Sequence, residues 1–155
     1  MGTRSPTYVH KSCAYITRDE AELLAFESPE HDGLQIPKGT IEPGESPRAA
    51  VFREIVEESG LSAVGSTSHV ASDVWNRYES PPKYYVRHFF HATVHDAPDE
   101  FTHVVTGEGE EVGLEFEYSW IDLRETHTFA LDLDDYVHLL EGAPNQPTAV
   151  GSAAD

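Results

Sequence analysis

Three glutamates, Glu54, Glu57 and Glu58, stand at i, i+3 and i+4, a spacing that brings all three carboxylates onto one stripe of an α-helix. The helix is well marked: Ser46 is a good N-cap, Pro47 suits the first helical position and Gly60 suits the close. Like charges held that close repel each other, so the stripe needs a cation. Carboxylate oxygens suit hard divalent ions such as Mg²⁺ or Mn²⁺, which usually keep waters and bridge to substrate phosphates. Arg53, beside Glu54 and four residues before Glu57, is the helix's own counter-ion. Ala49, Phe52, Ile55 and Val56 are expected on the opposite, apolar side. The plainer reading, an exposed acidic helix, accounts for the charges but not for the loop before it. There Gly39, Pro43 and Gly44 let the backbone turn tightly and approach a ligand, and Glu45 sits at the exit.

Taken together, Gly39, five residues, Glu45, seven residues, Arg53-Glu54-Ile55, one residue, Glu57-Glu58, one residue and Gly60-Leu61 resembles the complete Nudix box of the Nudix hydrolases. The resemblance implies an α/β fold, the Nudix-type α/β/α sandwich with a mixed β-sheet. It also implies a pyrophosphohydrolase, cutting a diphosphate bond in a nucleoside diphosphate linked to another moiety. On this reading Mg²⁺ or Mn²⁺ is held by the Gly39 carbonyl, Glu54, Glu57 and Glu58. Glu57 or Glu54 is the general base, with Arg53 and Glu45 in the catalytic group. The resemblance points loosely to Glu115 as a further metal ligand, with Glu110, Glu111 and Glu117 as rivals. The version IPKGTIEPGES, with Lys38 before the glycine, resembles the dinucleoside polyphosphate and inositol pyrophosphate branches. Lys38, Lys83 and Arg87 would then engage the phosphate chain, with Tyr85 stacking on the base. The alternative substrates are nucleoside triphosphates or ADP-ribose. The alternative from another class is a non-catalytic nucleotide-binding sensor.

Composition narrows the partners. Twenty-eight acidic against ten basic residues give a net charge of −18, which argues against a nucleic acid duplex or an anionic membrane, while the resemblance implies a nucleotide-type small molecule as partner. Only three lysines occur, Lys11, Lys38 and Lys83. Such a surface resembles that of proteins from salt-loving organisms, and simple solubility is an equal alternative. The start, MGTRSPTYVHKSC, lacks the apolar core of a secretory signal, and one cysteine cannot form an internal disulfide. A cytoplasmic location is the expectation, with Cys13 a small core residue. The pattern leaves the oligomeric state open.

One domain over 1–143 and a mobile tail over 144–155 are expected. Tyr8 to Thr17 and Glu22 to Phe26 read as a hairpin, Ser28 to Gly33 as a polar loop, and Leu34 to Pro37 as an extended piece leading to Lys38. After the helix, Leu61 to Arg77 holds one or two strands, and its Trp75 could stack on a base or simply cover a loop. Lys83 to His95 is the strongest strand; Tyr85, Arg87, Phe89, His91 and Thr93 share the face better suited to lining a pocket. The histidine spacings match no helical zinc pattern. Gly107 to Gly113 is an acidic loop, Leu114 to Leu123 alternates as a strand, and a helix over Leu133 to Leu140 closes the domain.

Overall fold

In the computed structural model, residues 6–19, 21–28, 31–62, 64–65, 67–76 and 81–140 are described. The expected tail over 144–155, and Tyr78 and Ser80 of the loop after Trp75, lie outside them. Eight strands form one sheet: β1 (Thr7–Arg18), β2 (Glu22–Ser28), β3 (His31–Gln35), β4 (Lys38–Thr40), β5 (Thr67–Asn76), β6 (Lys83–Thr93), β7 (Glu100–Val104) and β8 (Glu115–Asp122). The order is β5-β6-β1-β2-β8-β7, with β3 beside β2 and β4 beside β1. The sheet is mixed because β1 runs parallel to β6 while the other pairs are antiparallel. The fold class is α/β.

The β1–β2 hairpin closes through Thr17↔Leu23 and Arg18↔Glu22. His31 to Gly33, expected in a polar loop, join the extended Leu34 and Gln35 in β3, because pairing to β2 across a bulge supplies hydrogen bonds that Gly33 and its polar neighbours would not favour alone.

The centre of β1 is buried on both faces: Ala14 and Ile16 join a core under the helix with Leu24, Phe26, Val51, Ile55 and Phe116, while Cys13 and Tyr15 join a second core with Ile36, Phe89, Leu133 and Leu140. Strand alternation thus feeds two layers. Among the described residues the second layer holds no α-helix. Where a helix over 133–140 was expected, the segment is turns and one short 3₁₀ helix, Val137–Leu139, preceded by another at Ala130–Asp132. Left-handed backbone at Leu131 and Asp132 breaks the approach, and Tyr15 Oη donates to the Leu133 carbonyl at 2.6 Å, fixing the segment as a strap. No helix among the described residues is long and apolar enough to cross a membrane.

Candidate active site

The helix α1 (Pro47–Ser59) forms for local reasons. The Ser46 side chain accepts from the Ala49 amide at 3.1 Å, Pro47 opens the first turn, and Gly60 closes the last with φ +77°, a left-handed conformation that costs glycine little. Its orientation differs from the amphipathic expectation. The buried residues are Ala50, Val51, Ile55, Ser59 and two of the glutamates, Glu54 and Glu58, whereas Phe52 and Val56 are 40% and 46% exposed and Ala49 is exposed too. The acidic stripe is turned inward because the sheet beneath it opens into a cavity.

Arg53 organises that stripe. Its Nε and Nη2 donate to Glu45 at 2.8 and 2.9 Å, Nη1 donates to Glu54 at 2.7 Å and to Glu57 at 3.1 Å, and Nη2 reaches the Thr40 carbonyl at 3.0 Å. The guanidinium pulls the Glu45 carboxyl down to about 2. Burial pushes Glu54 up to about 7, against the pull of Arg53. Burial and a hydrogen-bonded Glu111 together hold Glu58 well above the usual carboxylate range, against the Lys38 amide that donates to Glu58 at 3.1 Å. Gly39 makes the close approach that its position suggested: a Cβ there would collide with the Glu54 carboxylate.

Among the described residues no three acidic, His or Cys side chains form a ready-made cation cage. Arg53 occupies the space between Glu54 and Glu57, and Glu58 turns to Glu111. The donor chemistry still fits a hard divalent ion. Two carboxylates in hydrogen-bond contact need a proton or a cation between them, and the surrounding groups are oxygen donors.

A cavity of about 520 Å³ joins these parts. Glu54, Glu57, Glu58 and Glu111 line one end, and Trp75, Lys83 and Tyr85 the other. All three lysines of this acidic chain line it, together with Arg53 and Arg87. Lys11 was not singled out from sequence; its only signal was the rarity of lysine. It sits on β1 opposite Thr40 of β4 on one side and Arg87 of β6 on the other, and burial, then Lys38, lower its pKa.

Two expected site residues are not placed as expected. Glu115 is exposed on β8 and does not line the cavity, because Phe116 and Tyr118 take the buried face and strand parity sends Glu115 and Glu117 the other way. The loop before it delivers Glu111 instead. Arg87 lines the cavity but is engaged: Nε and Nη2 grip Asp73 at 2.9 and 2.6 Å, Nη2 reaches Asp135 at 3.1 Å, and Nη1 donates to the Leu131 and Asp132 carbonyls. It ties the strap to the sheet and is not free for a phosphate. Of the histidines, His31 lines the cavity, and His69 Nε2 and His88 Nδ1 lie on either side of the Ser72 hydroxyl.

An acidic helix facing a lysine-rimmed cavity on a mixed sheet is an α/β architecture with a strongly charged cavity. The sequence profile of the NUDIX domain matches residues 9–140, and the chain belongs to that family. Over 76 residues it is 37% identical to an RNA pyrophosphohydrolase of Psychrobacter sp. (strain PRwf-1), covering 49% of this chain and 43% of that protein. Over 73 residues it is 41% identical to an RNA pyrophosphohydrolase of Psychrobacter cryohalolentis, covering 47% and 42%. The matches thus span less than half the length of these curated relatives. Among solved structures, a MutT protein from Methanosarcina mazei Go1 superposes with a TM-score of 0.58 at 22% identity, over 86% of this chain and 93% of that one. A UDP-X diphosphatase superposes with a TM-score of 0.61 at 20% identity, over 100% of this chain and 70% of that one. At such identities these two speak for the fold.

Proposed function

We propose that the chain is a divalent-metal-dependent pyrophosphohydrolase that cleaves a diphosphate bond in a nucleotide carrying an extended phosphate chain. The observation that carries this reading is the convergence of all three lysines on the cavity that holds the acidic stripe, in a chain of net charge −18. Cations so scarce and so placed suit a small, highly charged anion. Glu54, Glu57, Glu58 and the loop residue Glu111, with the Gly39 carbonyl, are the groups that would hold Mg²⁺ or Mn²⁺. Bound there, the metal supplies charge neutralisation on phosphate oxygens and a water of lowered pKa.

The chain's own residues do the rest. Arg53 fixes the rotamers of Glu54 and Glu57 and keeps Glu45 ionised. Glu57 or Glu54 takes the proton of the attacking water. Lys11 and Lys38 bind the phosphate chain, and Lys83 serves the far end of the cavity. Dinucleoside polyphosphates fit this charge distribution well, because a second nucleoside adds no backbone charge for the acidic exterior to repel. A second reading is an RNA 5′ end, favoured by the relatives at 37% and 41% identity that are named RNA pyrophosphohydrolases.

A substrate panel tests both. Diadenosine tetraphosphate, ATP, ADP-ribose and 5′-triphosphorylated RNA are compared at saturating Mg²⁺ and at rising salt. Preference for the tetraphosphate supports the first reading. Preference for RNA selects the second. No metal-dependent product from any of them removes the enzymatic reading.

A further inference from the structure

Glu57 and Glu58 stand in the last turn of α1, where a helix runs out of its own hydrogen-bond donors. The ladder stops at Val56, whose carbonyl takes the Gly60 amide at 2.9 Å. The Leu61 amide, next in line for the Glu57 carbonyl, donates to Ser59 Oγ at 3.2 Å instead. Such a turn ordinarily frays. Here repulsion among Glu54, Glu57 and Glu58 favours fraying further, and the turn is also the negative end of the helix dipole, the unfavourable end for carboxylates.

Donors from two strands distant in sequence take over. His103 Nε2 donates to the Glu57 carbonyl at 3.1 Å; the carbonyl only accepts, so that nitrogen carries the ring proton. The Thr106 amide joins it at 3.0 Å, and Tyr118 Oη donates to the Glu58 carbonyl at 2.8 Å. In the β7–β8 ladder Phe101 pairs with Tyr118 and His103 with Phe116, which puts both donors on the sheet face that meets α1. The donors are held in turn. The Tyr118 ring stacks on Phe101 and tilts against Phe26, with centroids 5.0 Å away in both cases. The His103 ring lies so near Gly60 that a Cβ on that glycine would collide with its Nδ1, and a Cβ on Gly107 would collide with the Glu57 carboxylate. Residues 103–107 therefore hold Glu57 at both its carbonyl and its carboxylate.

We propose that His103 and Tyr118 are positioning residues for the metal: by fixing the backbone of Glu57 and Glu58, they aim those two carboxylates at the cation. The inference rests on the metal reading above. Groups that orient a metal's ligands change metal affinity on the order of 10- to 100-fold without touching the ion. The tethers keep mutually repelling carboxylates arranged before the cation arrives, so less ordering is left for binding to supply. A purely structural role, fastening α1 to the sheet, would instead tie affinity to overall stability.

The test is Mn²⁺ binding to the full chain without substrate, read from the electron paramagnetic resonance signal of the free ion. His103→Leu and Tyr118→Phe each remove one donor and keep most of the packed surface. Both should weaken Mn²⁺ binding on the order of 10-fold. His103→Gln, whose side-chain amide donates to the same carbonyl, should keep the wild-type affinity. Trp120→Phe is the stability control: on the same strand as Tyr118 it removes the 2.9 Å bond from the indole Nε1 to the Pro98 carbonyl, and it should lower the melting temperature while leaving Mn²⁺ affinity unchanged. Unchanged affinity in His103→Leu or in Tyr118→Phe overturns the role of that residue. An equal loss in His103→Gln or Trp120→Phe overturns the positioning role as a whole. Should Tyr118→Phe fail to fold, the two His103 variants decide. Wild-type protein that binds no Mn²⁺ removes the metal reading and this inference with it, whereas equal binding by wild type and all variants removes this inference alone.

Discussion

Arg53 and Arg87 are both arginines gripped by several carboxylates on the same cavity, and they have opposite roles. The hydrogen-bonded acidic partners of Arg53 lie one, four and eight residues away, on its own helix and the loop leading into it. Those of Arg87 lie 14 and 48 residues away, and the strap carbonyls it binds 44 and 45 away. Arg53 orders a group of like charges that a cation would otherwise have to hold. Arg87 fastens a 3₁₀ strap to β5 and β6. A short-range network shapes chemistry here, and a long-range one closes the fold, so damage to the two should separate cleanly into lost turnover and lost stability.

The largest effect is expected at the Arg53 network. Glu57→Gln should lower turnover of the best panel substrate by several powers of ten, as when a metal-held carboxylate or base is removed. The melting temperature should hold or rise, because one repelling charge is gone. Full turnover in this variant, or in excess chelator, contradicts the mechanism. Arg87→Met should show the converse, a loss of about 3 kcal/mol in urea unfolding, since Asp73 and Asp135 lose their partner. A stability cost at Arg53→Met equal to that at Arg87→Met would erase the distinction.

Lys38→Ala should cost roughly 10- to 100-fold in kcat/KM on a substrate with four phosphates, the scale of one charge-assisted contact of ~1.5 to 3 kcal/mol, and less on ADP-ribose. Equal losses on both would mean that Lys38 only moderates the field of the glutamates.

The metal-free protein should also report the buried acid. Glu54 is raised to about 7 in the folded chain, so its favourable contribution is complete below the unfolded carboxylate range and is lost as pH rises through 7. Unfolding curves between pH 4.5 and 8 should show that decline, and Glu54→Gln should lessen it, the remainder coming from Glu58, which burial and Glu111 also raise. The smallest effect is expected from salt: screening of the −18 charge should raise the melting temperature by a few degrees between dilute buffer and molar KCl. A lowered value counts against an acidic surface suited to high salt.

What the sequence determined by itself is whatever depends on near neighbours. The i, i+3, i+4 spacing set the glutamate stripe, Ser46, Pro47 and Gly60 set the ends of α1, aromatic and β-branched residue types set β1 and β6, and period-two alternation set β8. These follow from backbone periodicity and local hydrogen bonding, which a few residues of sequence encode. Tertiary structure decided which way each face points and what meets across the cavity. Phe52 and Val56 are solvent-facing because the carboxylates of α1 face the cavity. Glu111 and not Glu115 meets Glu58 because Phe116 and Tyr118 claim the buried parity of β8. Lys11 enters the site because β1 lies between β4 and β6. Residues 133–140 form turns and one 3₁₀ helix where an α-helix was expected, because Tyr15 holds the Leu133 carbonyl and Arg87 holds the Asp135 carboxylate and the Leu131 carbonyl just before it. None of these contacts has a local signature, since each is set by chain distances that spacing along the sequence does not record.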